Sequence, residues 1–432
     1  MRILFRDVVV LSSHLDGVWR GDVLVEDGRI QRMEKGICEE VHRVIQGDGD
    51  YLIPGFVQTH IHLCQTLFRG LAEDLPLLDW LEKKVLLFES KHTPDTIRAS
   101  AKLGLCELML GGTTTFMSME TVRYTDVVLE EVSNSKLRGF VGKAIMDRQV
   151  GNAPLFEDTE KAIKETVDLI ERWDKKGKLR YAIAPRFVPS VKHDTWLEIF
   201  KIAEHYDVFI HTHSSENRDE IKLVEELTGK RNVEYFDSMG ILTDRMKIAH
   251  CVWVDEQEIE MLRSSGAGVL HCPSSNFKLG SGIAPVVEML REGLNLSIGA
   301  DGASCNNNLD VFCEMRLAGL AQKVRKGADA LPVKEIFRMA TLGGAEVLGI
   351  ADEVGTVEVG KCADLVLLGM KDVFTTPDTA DPYARVVYSA GRGNVRIVMV
   401  DGEIVVEEGR CLVYDIDEVI RDANSACSSL VE

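Results

Sequence analysis

The 432-residue sequence predicts an α/β fold, with a large strand–helix domain and a smaller β domain formed by both ends of the chain. Two observations predict this architecture. Apolar strand-like runs alternate with longer helical segments through the middle of the chain, and similar Asp-Gly turn signals stand near its two ends. The length also suits a large enzyme domain joined to a smaller one.

Near each end, an Asp-Gly pair separates two runs of β-prone residues. Asp27-Gly28 lies in the first such region and Asp401-Gly402 in the second. Asp-Gly between such runs is a strong signal for a β-hairpin. We expect the strands of both ends to pair in one small β domain, and two unrelated hairpins are the alternative.

Residues 54–349 alternate between strand-like and helical patterns. This alternation predicts parallel strands with crossover helices, arranged as a barrel or as an open sheet. The strand-like runs are Thr113–Met117, Arg180–Pro185, Val208–Thr212, Lys247–His250, Gly268–His271 and Leu296–Ala300. The helical segments include Thr159–Lys175, Asp194–His205, Glu216–Thr228 and Glu256–Ser265.

The charge balance disfavours two classes of partner. Lys and Arg total 50 and Asp and Glu total 69, which gives a formal net charge of −19. Because a chain with this much negative charge repels polyanions, we expect no nucleic-acid partner and no anionic membrane partner.

The ten cysteines form no C-x-x-C pair and indicate reduced thiols. With no apolar run typical of a signal peptide or a membrane span, we expect a cytoplasmic protein.

Metal-binding side chains stand where the strand-like runs end. His60 and His62 are two residues apart and therefore face the same side of a strand, and His213 follows another run. His250 and Asp301 close two more runs. In a parallel barrel such strand ends meet at one face, so together these residues predict a zinc or iron site. Singly they are weak signals, because an H-x-H pair arises by chance and an aspartate can simply cap a loop.

His211 precedes His213 by two residues and repeats the H-x-H spacing. We interpret it as a buried, hydrogen-bonded histidine and not as a ligand.

The order and context of these residues resemble the amidohydrolase superfamily over nearly the whole chain. This resemblance implies a distorted (β/α)8 TIM barrel over residues 55–354 and a small β-sandwich from residues 1–54 and 355–432, the last part ending in a helix. The motifs that carry it are Pro54-Gly-Phe-Val-Gln-Thr-His-Ile-His62, Gly111-Gly-Thr-Thr-Thr115, His211-Thr-His-Ser-Ser-Glu216, Ala249-His-Cys251, His271-Cys-Pro-Ser-Ser-Asn276, Gly299-Ala-Asp-Gly302 and Gly355–Asp364.

Within the superfamily, the chain resembles the branch of adenosine-type, guanine and triazine hydrolases. That resemblance implies one divalent ion, zinc first and iron as the alternative, bound by His60, His62, His213 and Asp301. Members with two metals carry a carboxylated lysine on the fourth strand. The matching run Arg180–Pro185 contains no lysine, so we expect a single metal.

Glu216, three residues after His213, is the expected proton carrier of a hydrolytic deamination. The alternative is a solvated acid at the start of a helix. In the hypothetical mechanism, Asp301 accepts a proton from the activated water, Glu216 passes a proton to a ring nitrogen, and His250 orients the attacking oxygen. The ring loses ammonia, as in zinc base deaminases.

Two residues favour an adenine nucleoside as the substrate. Glu89 and Arg148 resemble substrate-contacting residues of methylthioadenosine and S-adenosylhomocysteine deaminases. Trp80 lies in Leu67–Glu89, which resembles the substrate-covering loop of this branch, and it could stack on the ring or belong to the core. The first prediction is therefore deamination of 5′-deoxyadenosine, methylthioadenosine or S-adenosylhomocysteine.

Other residues keep alternatives open. Gln65 and Arg186 resemble residues of guanine deaminases, and Arg186 could bind a ring carbonyl or form a structural ion pair. Guanine, 8-oxoguanine or a pterin is thus the second substrate class, and triazine hydrolysis comes third. A non-catalytic scaffold of the same fold is a remote alternative. Such a protein is expected to have lost its metal-ligand residues, whereas all four are present in this sequence. The expected partner is a small heterocyclic amine, which is the substrate. The family resemblance also implies that the protein forms a homo-oligomer.

Overall fold

Two β-sheets organise the computed structural model, which describes residues 1–14 and 18–431. Both ends of the chain form a nine-stranded sheet, and the middle forms a ten-stranded sheet. In chain order, the strands are β1 Arg2–Val10, β2 Trp19–Glu26, β3 Arg29–Glu34, β4 Arg43–Gln46, β5 Tyr51–Pro54, β6 Phe56–His62, β7 Thr113–Met119, β8 Arg138–Gly142, β9 Ala144–Ile145, β10 Leu179–Pro185, β11 Phe209–Ser214, β12 Met246–His250, β13 Gly268–His271, β14 Asn295–Ile298, β15 Asp301–Gly302, β16 Leu365–Leu368, β17 Val395–Val400, β18 Glu403–Glu407 and β19 Arg410–Cys411.

The sheet of the middle region is a closed parallel barrel. Its neighbours pair in parallel from β6 through to β14, and β15 pairs in parallel with β6. β8 with β9, and β14 with β15, are consecutive pieces of one strand position each, so eight positions surround the barrel. The predicted (β/α)8 barrel is therefore confirmed, and the open sheet is wrong.

Helices follow the barrel strands and cover their outer faces. In α5, residues Ala162, Thr166, Leu169 and Ile170 are buried, a helical spacing that gives one apolar face. The helices are α1 Leu77–Trp80, α2 Leu86–Ser90, α3 Pro94–Leu110, α4 Thr125–Asn134, α5 Thr159–Trp173, α6 His193–Tyr206, α7 Arg218–Thr228, α8 Asn232–Ser238, α9 Glu256–Ser265, α10 Pro273–Lys278, α11 Val286–Arg291, α12 Val311–Lys326, α13 Val333–Met339, α14 Leu342–Val347, α15 Pro382–Ala384 and α16 Ile416–Val431. Within the described part of the chain, none of them is long and apolar enough to cross a bilayer.

The six predicted strand-like runs and four helical segments are all present, with ends shifted by at most a few residues. Strand β8 was not predicted, because it is short and contains Gly139 and Gly142. A Cβ on Gly142 would lie 1.7 Å from the carbonyl oxygen of Ala182, so only glycine allows this close approach between strands.

The segment Leu67–Glu89, expected to be a loop, is mostly helical. It contains α1, a π-helical turn over Leu81–Val85 and most of α2. Leu77, Trp80 and Leu81 are buried and follow a helical i, i+3, i+4 spacing, so the segment places one apolar face on the barrel.

The sheet formed by both ends confirms the predicted small β domain. Antiparallel pairing of β5 with β16 joins the amino-terminal strands to the carboxyl-terminal ones. The two Asp-Gly pairs form the predicted hairpin turns, with positive φ at Asp27, Gly28, Asp401 and Gly402. A Cβ on Gly402 would lie 2.6 Å from Cα of Gly28, so the two turns pack directly on each other.

Candidate active site

Four side chains converge at the carboxyl-terminal end of the barrel. His60 and His62 lie on β6, His213 on β11 and Asp301 on β15. One ligand atom from each residue lies within 4.8 Å of the others. The four expected metal ligands therefore come together from three strands, at the barrel face where active sites are found.

Glycine makes the approach of Asp301 to the histidines feasible. A Cβ on Gly299 would lie 2.7 Å from the backbone nitrogen of His60 and 2.6 Å from its carbonyl oxygen. The chain then turns at Asp301, which has a φ of 62°, and pairs with Ile61 of β6. The Asp301 carboxylate thereby comes within 3.3 Å of His60 Nε2 and 3.1 Å of His62 Nε2.

Hydrogen bonds fix the histidine rings so that Nε2 atoms face the centre. The Nδ1–H groups of His62 and His213 donate to the carbonyl oxygens of Met119 and Arg186, each at 2.7 Å. His60 Nδ1 lies 2.7 Å from Nε2 of the buried His211. This contact confirms our interpretation of His211 as a buried, hydrogen-bonded histidine. Orientation of metal-binding imidazoles through the second nitrogen is the usual arrangement in metal sites.

The protonation states of this cluster suit a cation. Burial lowers the pKa of His60 to about 4 and holds that of His213 well below its usual range. Burial opposes ionisation of Asp301, but His60 and His62 outweigh it and keep the pKa of Asp301 well below its usual range. His60 Nε2 is buried without any hydrogen-bond partner in the described chain. An orphaned imidazole nitrogen beside two more nitrogens and a carboxylate is a donor set that fits a divalent metal ion.

Glu216 and His250 flank the four ligands. His250 Nε2 lies 3.5 Å from Glu216 Oε2 and 3.8 Å from Asp301 Oδ2. The Nδ1–H of His250 donates to Asn276 Oδ1 at 2.9 Å, which leaves Nε2 facing the site. Glu216 accepts a hydrogen bond from Ser281 at 3.3 Å, and burial raises its pKa. Glu216 is thus buried before the first turn of α7, which makes the solvated helix-start acid wrong.

A second buried acid, Glu220, supports Glu216. Its Oε2 accepts the backbone N–H of Glu216 at 3.1 Å, and its other oxygen accepts from Asn232. Burial raises the pKa of Glu220 to about 8. Glu220 was not among the residues predicted from the sequence, because Glu216 precedes α7 and no helical spacing relates the two acids.

The cavity beside these residues is small. Its free volume is about 30 Å³, which accommodates one or two waters. Three apolar side chains from the helical segment that follows β6, Leu77, Trp80 and Leu81, form part of its wall. The remaining lining residues are His62, Gln65, Arg186, Phe187, His213, Glu216, Glu220, His250, Leu279 and Asp301.

Residues expected to distinguish substrates form one buried network. Arg186 binds Glu89 through two parallel hydrogen bonds of 2.9 and 3.0 Å. Gln65 donates to Glu89 at 2.9 Å and accepts from Ser304 at 2.5 Å. The ion-pair alternative for Arg186 is therefore present, with Glu89 as its partner.

Arg148 lies apart from this network. Its side chain is half-buried, and it is not among the described residues that line the cavity. Its backbone N–H donates to Ser190 at 3.0 Å. The predicted substrate contact of Arg148 stays a prediction.

Comparison with known proteins gives consistent matches along the chain. The sequence model of the amidohydrolase family matches residues 51–405. A 5′-deoxyadenosine deaminase of Methanothermobacter thermautotrophicus is 38% identical over 421 residues, 96% of each chain. A 5-methylthioadenosine/S-adenosylhomocysteine deaminase of Syntrophomonas wolfei is 35% identical over 440 residues, 100% of each chain.

Solved structures with the same architecture include two deaminases. A zinc-bound adenosine deaminase of Xanthomonas campestris superimposes with a TM-score of 0.93 at 28% identity, covering 99% of this chain and 98% of that one. A guanine deaminase of C. acetobutylicum with guanine in its active site gives a TM-score of 0.84 at 25% identity, covering 94% and 100%.

Proposed function

The chain belongs to the amidohydrolase family, and we propose that it hydrolyses the amino group from the adenine ring of a nucleoside such as 5′-deoxyadenosine, 5′-methylthioadenosine or S-adenosylhomocysteine. The observation that carries the proposal is the convergence of three inward-facing imidazole nitrogens and the Asp301 carboxylate beside the buried acid Glu216. The full-length relatives at 34–38% identity with these activities in their names support the substrate class.

We propose His60, His62, His213 and Asp301 as the ligands of a single zinc ion, with iron as the alternative. The zinc-bound adenosine deaminase structure supports zinc. When bound, the ion supplies Lewis-acid activation of a water molecule at neutral pH.

The chain's own residues supply the proton transfers. Asp301, which is ionised, accepts a proton from the attacking water. Because burial raises the pKa of Glu216, this acid can hold a proton and deliver it to a ring nitrogen as the water oxygen attacks the carbon that bears the amine. His250, 3.5 Å from Glu216, orients the attacking oxygen through Nε2. Asp301 then gives its proton to the leaving amine, and the hydroxyl proton returns to Glu216 as the carbonyl forms. The balance is one water consumed, one ring carbonyl formed and one ammonia released, with both carboxyl groups back in their starting states.

The cavity wall supplies substrate contacts in this proposal. Trp80 stacks on the purine, since its ring lies at the cavity and its indole nitrogen has no partner among described residues. Glu89 is not among the described residues that line the cavity, but Arg186 and Gln65 of the wall bind its carboxylate. In this proposal Glu89 accepts hydrogen bonds from the ribose hydroxyls once the site has opened. Arg148 contacts the 5′ substituent once the site has opened to admit it.

Deamination of guanine is the second candidate function. Arg186 and Gln65 favour it, because both lie at the cavity and both can hydrogen-bond to a ring that carries a carbonyl. The guanine-bound deaminase among the structural neighbours supports the same ring class.

The test is ammonia release from a panel of substrates by protein of measured metal content. The panel contains 5′-deoxyadenosine, 5′-methylthioadenosine, S-adenosylhomocysteine, guanine, 8-oxoguanine and a pterin. We expect one bound zinc per chain and kcat/KM for an adenine nucleoside at least tenfold above that for guanine. A preference for guanine would transfer the proposal to the second candidate. Protein that binds metal but releases no ammonia from any substrate of the panel would reject both.

A further inference from the structure

A cationic cleft lies at the end of the barrel opposite the active site. It is bounded by the starts of β8 and β10 on the barrel side and by residues of the terminal β domain on the other side. Its free volume is about 610 Å³, far larger than the space at the active site. Its charged lining residues are Arg29, Lys136, Arg138, Lys176, Lys178, Arg180, Glu353 and Asp401.

The sign of this lining opposes that of the whole protein. Six cationic side chains face two acidic ones in the cleft, whereas the chain has 50 cationic and 69 acidic residues. A concave surface lined by one sign of charge concentrates the field and attracts ions of the other sign. The cleft is therefore a local positive region on an acidic molecule.

The nearby carboxylates are already engaged. Arg138 binds Asp364 at 3.0 Å and lies 3.5 Å from Glu353 and 3.6 Å from Asp401. Lys178 reaches the other oxygen of Asp401 only at 3.9 Å. One arginine thus contacts three carboxylates, and Lys136 pairs with Glu403 at 3.3 Å, so little negative charge is left for the other cations of the cleft.

Three cations of the cleft have no carboxylate within 4.0 Å among the residues that the structure describes. Arg29 donates to the carbonyl oxygen of Gly360 at 2.8 Å, and Arg180 donates to that of Leu179 at 2.9 Å. Lys176 lies 5.5 Å from the centre of the Trp173 ring. Carbonyl and aromatic contacts leave the positive charges uncompensated, and each guanidinium keeps further N–H donors for a ligand.

We propose that this cleft binds a small anion with two or more phosphate groups, through Arg29, Lys176 and Arg180. Guanidinium groups match phosphate oxygens with paired hydrogen bonds, and lysine adds a point charge. Arg29 comes from the terminal β domain, whereas Lys176 and Arg180 come from the barrel. In this proposal a diphosphate bridges the two sides of the cleft, so its binding stabilises the junction of the two domains and leaves the active site free.

Calorimetric titration of the metal-loaded protein with inorganic pyrophosphate tests this site, at constant ionic strength and pH. We expect saturable binding and a concentration-dependent rise in Tm, with sulfate binding at least tenfold more weakly. The metal content is measured in the same samples, because pyrophosphate can also extract metal ions. Pyrophosphate binding with the same affinity as sulfate would overturn the proposal.

Charge variants locate the site. Arg180→Glu is expected to weaken pyrophosphate binding at least tenfold, and Arg180→Gln to weaken it less. Lys201→Glu, an exposed lysine on α6 away from the cleft, is the matched control and should bind as the parent protein does. Unchanged affinity in both Arg180 variants would reject the site. So would a change of oligomeric mass in place of anion binding, because it would mark the cleft as an interface between chains.

A titration with ADP distinguishes two sources of the diphosphate group. Equal affinity for ADP and pyrophosphate means that phosphates alone are recognised, and tighter ADP binding identifies a nucleotide as the ligand. Both results support the site, whereas failure of either ligand to compete with the other would overturn it. Ammonia release by Arg180→Glu is expected to equal that of the parent protein, so this test stands apart from the proposed deamination.

Discussion

Two buried acids, Glu216 and Glu220, define the chemistry at the residue scale. Burial raises the pKa of both carboxyl groups, and Glu220 accepts a hydrogen bond of 3.1 Å from the backbone N–H of Glu216. Such perturbed carboxyls are common in catalytic sites, since an acid that must carry a proton near neutral pH needs a raised pKa. Non-glycine residues with positive φ also gather here, namely Ser215, His250, Cys251 and Asp301.

Glu216→Gln tests the proton carrier. The amide preserves shape and burial but cannot donate and accept a proton in turn, so kcat should fall by about 10²–10⁴-fold. Bound metal should remain at the parent level, because Glu216 is not one of the four proposed ligands. Steady-state ammonia release and metal analysis on the same preparation measure both quantities.

Asp219→Asn is the matched control for this variant. Asp219 lies in the first turn of α7, three residues after Glu216, but is exposed, so the kcat of Asp219→Asn should equal that of the parent protein. Parent-level turnover by Glu216→Gln would remove Glu216 from the mechanism.

At the scale of elements, the helical segment after β6 closes the active site. Leu77, Trp80 and Leu81 cover the cavity, and the free volume of about 30 Å³ is too small for a nucleoside. Glu73 attaches the beginning of this segment to the barrel through an ion pair with Lys278 at 2.8 Å and a hydrogen bond from Asn307 at 3.3 Å. We therefore expect substrate entry to require movement of this segment.

Lys278→Ala should loosen this attachment. The ion pair is partly exposed and contributes at most about 1 kcal/mol, so hydrogen exchange of amides 70–81 should accelerate by up to about fivefold. Hydrogen exchange with mass spectrometry on substrate-free protein measures the effect. Lys83→Ala is the control, because Lys83 pairs with Asp79 inside the segment and leaves its attachment to the barrel intact. Equal exchange in Lys278→Ala and the parent protein would show that Glu73 does not restrain the segment.

The sequence made most strands and helices predictable because each carries its own periodic pattern. Gly268–His271 and Glu256–Ser265 even have the predicted bounds. Strand β8 escaped detection because its two glycines serve tertiary contacts, Gly139 with Val132 of α4 and Gly142 with Ala182 of β10, which no local pattern reveals. The pairing of Glu89 with Arg186, 97 positions apart, likewise depends on the tertiary fold.

The packing of α12 against α10 depends on a buried acid. Glu314 of α12 accepts hydrogen bonds from Ser274 of α10, at 3.1 Å from its backbone, and from Asn306 at 2.8 Å. Burial raises the pKa of Glu314 to about 7, although these hydrogen bonds oppose the rise. The folded state therefore holds a proton here that the unfolded state loses near pH 4.5.

This shift predicts a pH-dependent difference between the parent protein and Glu314→Gln. A raised folded-state pKa gives stability that is complete below about pH 4.5 and is lost as the pH rises to about 7. Glutamine mimics the neutral acid, so the variant should gain stability relative to the parent between pH 5 and pH 8, by up to about 3 kcal/mol. Urea unfolding at both pH values measures the change. A constant difference between the two proteins would show that Glu314 does not titrate in this range.

At the scale of the whole molecule, packed turns join the two parts of the terminal β domain, and a buried ion pair joins that domain to the barrel. The hairpins at both ends were predictable from their Asp-Gly signals, and the domain boundaries at residues 54 and 354 stay a prediction. That the two turns contact each other was not predictable, since it depends on pairing between strands more than 300 positions apart.

Arg138 at the start of β8 connects the two parts electrostatically. It binds Asp364, whose side chain is 1% exposed and also accepts the backbone N–H of Asp401 at 2.8 Å. Burial raises the pKa of Asp364 despite the neighbouring guanidinium, so this carboxylate depends on Arg138 for its charge. Arg138→Met keeps much of the side-chain volume but leaves a buried acid without its cation.

We expect Arg138→Met to lower the free energy of unfolding by about 3–5 kcal/mol, as for other buried pairs that lose one partner. Adding Asp364→Asn should recover part of the loss, because the second change removes the uncompensated charge. Urea unfolding of the single and double variants forms a mutant cycle that isolates the pair. Equal stability of Arg138→Met and the parent protein would mean that solvent reaches Asp364 and that this ion pair does not hold the two domains together.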